Sequence, residues 1–218
     1  MSACGGGGTD EATSVSTLSF PLAQSLRNFY VNGEVGQYSV VLTAGSTTCN
    51  GTVTLTRSKA TAATFENVNG VSSTQTATVQ FTNSTWAQRP TRASAILDSN
   101  FNPIGSTATG EYRVYQTPKP QLPTLAKIGD SFTLGTAFTY TGAAKTTQIG
   151  KDVTTYSMQA DTGSTARLVM TTTETDQANH PVSTTVEAVR IDATGGYKTL
   201  SVNVTVQGSG RVVMTRTD

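Results

Sequence analysis

The chain has 218 residues, with 15 Lys or Arg against 14 Asp or Glu and a net charge of +1. Charged residues make up 13% of it, a low share for a globular protein, and they are evenly spread: six basic and six acidic up to Pro118, nine and eight from Lys119 on. Nucleic-acid surfaces need clustered cations, so this balance excludes one, and no apolar run reaches the roughly 18 residues of a membrane-spanning helix. Threonine is the commonest residue, at about one in five; its β-branched side chain favours strands and its hydroxyl wets a face without charge.

The chain opens MSACGGGGTDEATSVS. Ser2-Ala3-Cys4 resembles the end of a bacterial lipobox, where small residues precede a cysteine whose thiol takes a diacylglycerol. Met1 stands where Leu is usual, so an upstream apolar signal segment is inferred rather than seen. Residues 1–18 are expected to be this lipobox remnant and a flexible, glycine-rich tether. Gly5, rather than Asp, after the cysteine points to the outer membrane. A plain disordered terminus is the alternative. With Cys4 lipidated, Cys49 is a lone thiol in a strand-like segment, expected to be buried; a Cys4–Cys49 disulfide is the other possibility in an oxidising compartment.

Next comes FPLAQSLRNFYVNG. Leu22, Leu26, Phe29 and Tyr30 recur at helical spacing, with Pro21 suited to the first turn and Gly33 to the stop. One short helix is expected. From there the period changes to two. QYSVVLT, GTVTLTRS, STQTATVQFT (with Ala77, Val79 and Phe81 on one face), RASAILD and EYRVYQT read as strands bounded by Gly, Asn and Ser. Together these form an N-terminal β-rich subdomain over 19–117. TPKPQLP carries three prolines, and 118–126 reads as a connection.

The C-terminal part, 127–218, holds six candidate strands joined by short Gly, Asp, Asn and Pro links, the pattern of an antiparallel meander. Phe132, Leu134, Tyr156, Met158, Leu168, Met170, Val186, Leu200, Val202, Val204, Val212 and Met214 are its expected inner face. Such a face must pack on something: the first half, or itself in a closed barrel. The fold class is therefore all-β, an antiparallel meander, sandwich or barrel-like sheet with one short N-terminal helix.

CGGGG, CNGTVTLT, ATFENVNGVSSTQTATVQFTN, LDSNFNPIG, IGDSFTLGTAFTYT and YSMQADTGSTARLVM together resemble an uncharacterised family of Gram-negative lipoproteins, over most of residues 4–190. The resemblance implies an envelope location and a β fold, and no known activity. In such relatives a second cysteine is expected near FTNSTW, where this chain has Asn83 and Ser84.

Candidate chemistry is sparse. His180, the sole histidine, sits in the turn-forming stretch TDQANHPVS, and no GxSxG accompanies it. That speaks against a Ser-His-Asp hydrolase, and one His excludes a His-based metal cluster. Asp98–Asn102 alternates oxygen ligands, but Pro103 and Thr109 stand where a calcium loop wants Gly and Glu, so a side-chain-capped turn is expected. Trp86 with Arg89 and Arg92 offers an aromatic platform beside cations, a candidate site for a glycan or anionic partner; a Trp packed at a sheet margin fits equally. Glu174 and Asp176 share a strand face and read as solvated strand-end charges. No catalytic residue, metal or cofactor is expected. The expected function is that of a non-enzymatic outer-membrane lipoprotein, anchored through Cys4, with an adhesive, structural or partner-binding role toward a protein or glycan. The alternatives are a carrier holding a lipid or small hydrophobic ligand inside a barrel-like sheet, and a hydrolase of unrecognised type.

Overall fold

The computed structural model describes residues 18–82 and 90–218. After a two-residue strand β1 (Ser19–Phe20) comes helix α1 (Leu22–Asn32). The strands β2 (Glu34–Ala44), β3 (Thr47–Arg57), β4 (Thr61–Phe65), β5 (Val68–Phe81), β6 (Thr91–Asp98), β7 (Pro103–Ala108) and β8 (Glu111–Tyr115) follow. A second two-residue strand, β9 (Ala126–Lys127), precedes β10 (Ser131–Tyr140), β11 (Gln148–Ala160), β12 (Thr165–Asp176), β13 (Pro181–Asp192), β14 (Tyr197–Val206) and β15 (Gly210–Arg216). β1 and β9 pair only with each other.

The long strands form a closed, antiparallel 12-strand barrel. Neighbours follow chain order through short hairpins, except at three places. β8 joins β10 across the proline-rich stretch. β15 returns to β2, with Met214 opposite Val40. β3 passes over β4 to pair with β5, from Gly51 opposite Phe81 to Arg57 opposite Gln75. β4 pairs only with β5 and folds against the outside of the barrel, where Phe65 packs with Ile96, Ile104, Tyr112 and Val114. A side chain at Gly105 would put its Cβ 2.3 Å from the Phe65 ring, so glycine there lets the ring lie flat on the sheet.

Much of the outer face carries hydroxyl groups, with Val35 exposed among them. Ser39, Thr52, Thr56, Thr78, Thr155, Thr205 and Thr215 point outward and are exposed. The apolar partners of the alternation point inward. A membrane-spanning barrel has the opposite polarity, with an apolar outer belt. Among the described residues no helix is long and apolar enough to cross a membrane.

The helix matches its sequence signature. Leu22, Leu26 and Phe29 are its buried stripe, and Gly33 ends it at φ 69°, a backbone geometry that glycine adopts without strain. α1 closes one end of the barrel. Its Asn28 donates to the Gly195 carbonyl at 3.0 Å, and the Ala60 amide donates to the Tyr30 carbonyl at 2.8 Å. Phe29 lies against Tyr197, ring centres 4.1 Å apart. Beneath this plug Phe20, Leu22, Leu134, Met158, Leu168, Val189 and Ile191 form the main core, with Phe20, Val189 and Ile191 fully buried.

The meander over β10–β15 is as expected, but two of its expected inner residues are misplaced. Glu187, not Val186, faces inward, because Glu187 pairs with the inward Met170 and Val202. A register shift between Val189/Thr199 and Ala188/Ser201 leaves Leu200 as the extra residue. This bulge turns Thr199 inward in its place; Thr199 is buried.

Candidate functional site

An eight-stranded barrel is just wide enough to be filled by its own side chains; twelve strands enclose more. The surplus volume in this lumen is graded along the axis. Next to the plug lies a cavity of ≈ 210 Å³, walled by the rings of Phe29, Tyr30, Tyr115, Tyr156 and Tyr197 together with Arg57 and Glu187. A second cavity, of ≈ 160 Å³, shares Arg57, Thr185 and Glu187 with it and adds Glu34, Tyr38, Gln75 and Thr199. The two spaces meet at a polar belt contributed by several strands.

Register builds this belt. Glu34 sits opposite Arg57 on β2–β3, and Arg57 opposite Gln75 on β3–β5. Arg216 sits opposite Tyr38 on β15–β2. Glu34 takes the Arg216 guanidinium in an ion pair and accepts from the Thr199 hydroxyl at 3.2 Å. Tyr38 bends over Gly36, where any Cβ would strike its ring. Burial, then the Glu34 charge, pushes its phenol up to about 12. The Arg57 guanidinium lies 4.3 Å from the centre of the Phe29 ring and 5.3 Å from that of Tyr30, a cation–π arrangement. Glu187 keeps accessible surface only because it faces the cavities. Burial holds its carboxyl above the usual range, against the pull of Arg57 and with a push from Glu34.

Away from the plug the lumen has two unlike walls. One is apolar: Leu42, Val79, Phe81, Val204, Val212 and Met214 point inward from β2, β5, β14 and β15, yet all are only half-buried. The other is polar. Arg113 contacts Asp152 at 3.0 Å and Glu111 at 2.8 Å, with Glu174 at 3.9 Å. Asp152 is 5% exposed, and burial pushes its carboxyl up to about 6 despite Arg113. Glu174, read from sequence as a solvated strand end, is a lumen residue that also accepts from Ser183 at 2.9 Å.

The residues singled out from sequence lie elsewhere. Cys4, Trp86 and Arg89 fall outside the described residues. Arg92 is exposed on β6, opposite Thr76. His180 is exposed in the β12–β13 hairpin, its Nδ1 3.1 Å from Asp176 Oδ2. Asp98 Oδ1 accepts from the amides of Asn100 and Asn102 at 2.8 and 2.9 Å, the capped turn expected there. Cys49 is a free thiol on the apolar wall, opposite Leu42 and half-buried. Among the described residues no group of His, Cys, Asp and Glu is arranged to hold a metal ion. Sequence reading missed Arg57, Glu187 and Arg216, which look like ordinary strand charges until register brings them together. Alternation puts Glu187 on one face with Val189 and Ile191 but, with Val186 on the other, does not say which face is inner. The chain matches no known family model, no characterised protein and no solved structure.

Proposed function

We propose that the protein is a cell-envelope lipoprotein, held by a lipid on Cys4, whose barrel carries a small amphipathic ligand. One observation carries the reading: the inward apolar residues away from the plug are only partly buried, although Val79, Phe81, Val212 and Met214 pack on the buried Tyr38, Val40, Val53 and Leu55. Folding normally removes inward apolar surface from water, at about 25 cal/mol per Å². A lumen that leaves Leu42, Val79, Phe81, Val204 and Met214 only partly buried suits a guest that completes the burial. The polar wall opposite them suits a guest with one polar side. An adhesive role would draw on the outer surface, which carries many hydroxyl groups.

The test is binding of 1-N-phenylnaphthylamine, whose fluorescence rises in apolar surroundings. The wild type should bind it saturably. Val204→Trp fills the lumen and should abolish the rise, while Thr205→Trp, on the outer face, should not. Absence of binding to the wild type, or equal binding by both variants, removes the carrier reading.

A further inference from the structure

Three guanidinium groups face the lumen. Arg113 is held by Asp152 and Glu111. Arg216 is held by Glu34 and Asp218. Arg57 differs: among the described residues no carboxylate lies within ion-pair distance of it. Its Nη2 donates to the neutral Gln75 amide oxygen. Its Nε is buried and has no acceptor. The Phe29 and Tyr30 rings fix the plane of the group. A cation withdrawn from water without a counter-ion is costly, and so is a buried donor left unmade. Arg57 lines both cavities, and its Nη1 is the guanidinium nitrogen that is neither bonded to Gln75 nor buried. A guanidinium N–H pairs with a carboxylate oxygen in a charge-assisted hydrogen bond.

We infer that the carried ligand is an amphipathic carboxylic acid, with its carboxylate on the Nη1 side of the Arg57 guanidinium and its apolar body along Leu55, Val202, Val204 and Met214, away from the plug. The inference rests on the carrier reading and names the chemistry of its guest. An organic cation is disfavoured, because Arg57 already occupies the ring faces it would use. The direction of the body follows from size. A dry cavity of about 150 Å³ takes one benzene, so the ≈ 210 Å³ space under α1 holds little more than a ring, whereas the inward apolar face continues away from the plug. Glu187 does not oppose the anion as an exposed carboxylate would. Burial holds its carboxyl above the usual range and the Arg57 charge lies near it, both of which lessen its repulsion of a carboxylate.

The experiment is displacement of 1-N-phenylnaphthylamine from the full-length wild type at neutral pH by dodecanoate, dodecanol and dodecylammonium. Dodecanoate should act at about tenfold lower concentration than the other two, the scale of a charge-assisted pair. Arg57→Gln should remove that advantage while leaving dye and dodecanol binding in place. Equal potency of the three compounds, a preference for the ammonium, or an advantage that survives Arg57→Gln overturns the inference and leaves the carrier reading standing. Failure of the wild type to bind the dye overturns both. A measurement that needs no variant guards against misfolding of Arg57→Gln: carboxyl-¹³C dodecanoate bound to the wild type should stay ionised to lower pH than in water. A bound acid that titrates as it does in water overturns the inference.

Discussion

Asp152 shows what a polar residue costs inside this barrel. Its carboxyl is 5% exposed, and its Oδ1 has no hydrogen-bond partner. Burial outweighs Arg113 and raises its pKa to about 6 from 3.8. The folded state therefore binds this proton more tightly than the unfolded chain. Stability from this group is complete below pH 3.8 and is lost as pH rises through about 6. At about 1.4 kcal/mol per unit the loss is on the order of 3 kcal/mol. Asp152→Asn should remove that slope and melt higher than wild type at pH 7, since Arg113 keeps Glu111. Denaturant titrations of both proteins across pH 4–7 check this, and parallel curves contradict it. None of this was legible in KDVTTYSMQA, where Asp152 looks like a strand-end charge. What decides its burial is the pairing with Ala137 and Glu174, a tertiary fact.

Elements were far easier to read than sites. α1 was legible because its four apolar residues fall at helical spacing between Pro21 and Gly33, and both ends are set by local backbone chemistry. The closing glycine does more than stop the helix. A Cβ at Gly33 would sit 2.6 Å from the Arg57 carbonyl oxygen, and the residue holds φ 69°. Gly33→Ala should therefore cost about 1–2 kcal/mol. Because it lifts the plug from Arg57, it should also increase protease cleavage within α1; an unchanged melting temperature would show that the contact relaxes freely. The two misread positions have a common cause. In STTVEAVRID both faces carry valine, so alternation cannot say which is inner, and the lumen accepts a glutamate where a filled core would not. At Leu200 the period-two pattern continues unbroken through a bulge that only the partner strand reveals.

At the scale of the molecule, the all-β class and the C-terminal meander followed from periodicity, while ring closure did not. It depends on β3 skipping β4 to meet β5, a choice between competing edges that the local pattern of TAATF does not record. The lumen exists only because of that closure, so the candidate site was illegible for the same reason. The proposed attachment is a separate matter, carried by Ser2-Ala3-Cys4. Expressed with a lipoprotein signal and fed an alkyne fatty acid, the protein should be labelled and Cys4→Ser should not; unlabelled wild type would remove the anchor from the reading. The described chain enters beside the plug, at β1 and α1, and Asp218 ends near Gln37 at the same end. With a lipid on Cys4, the tether would join the barrel at its plugged end, away from Leu42 and Phe81. Cargo would then be traded with the aqueous compartment, not drawn sideways from the lipid, and the protein would work as a cup standing on its base.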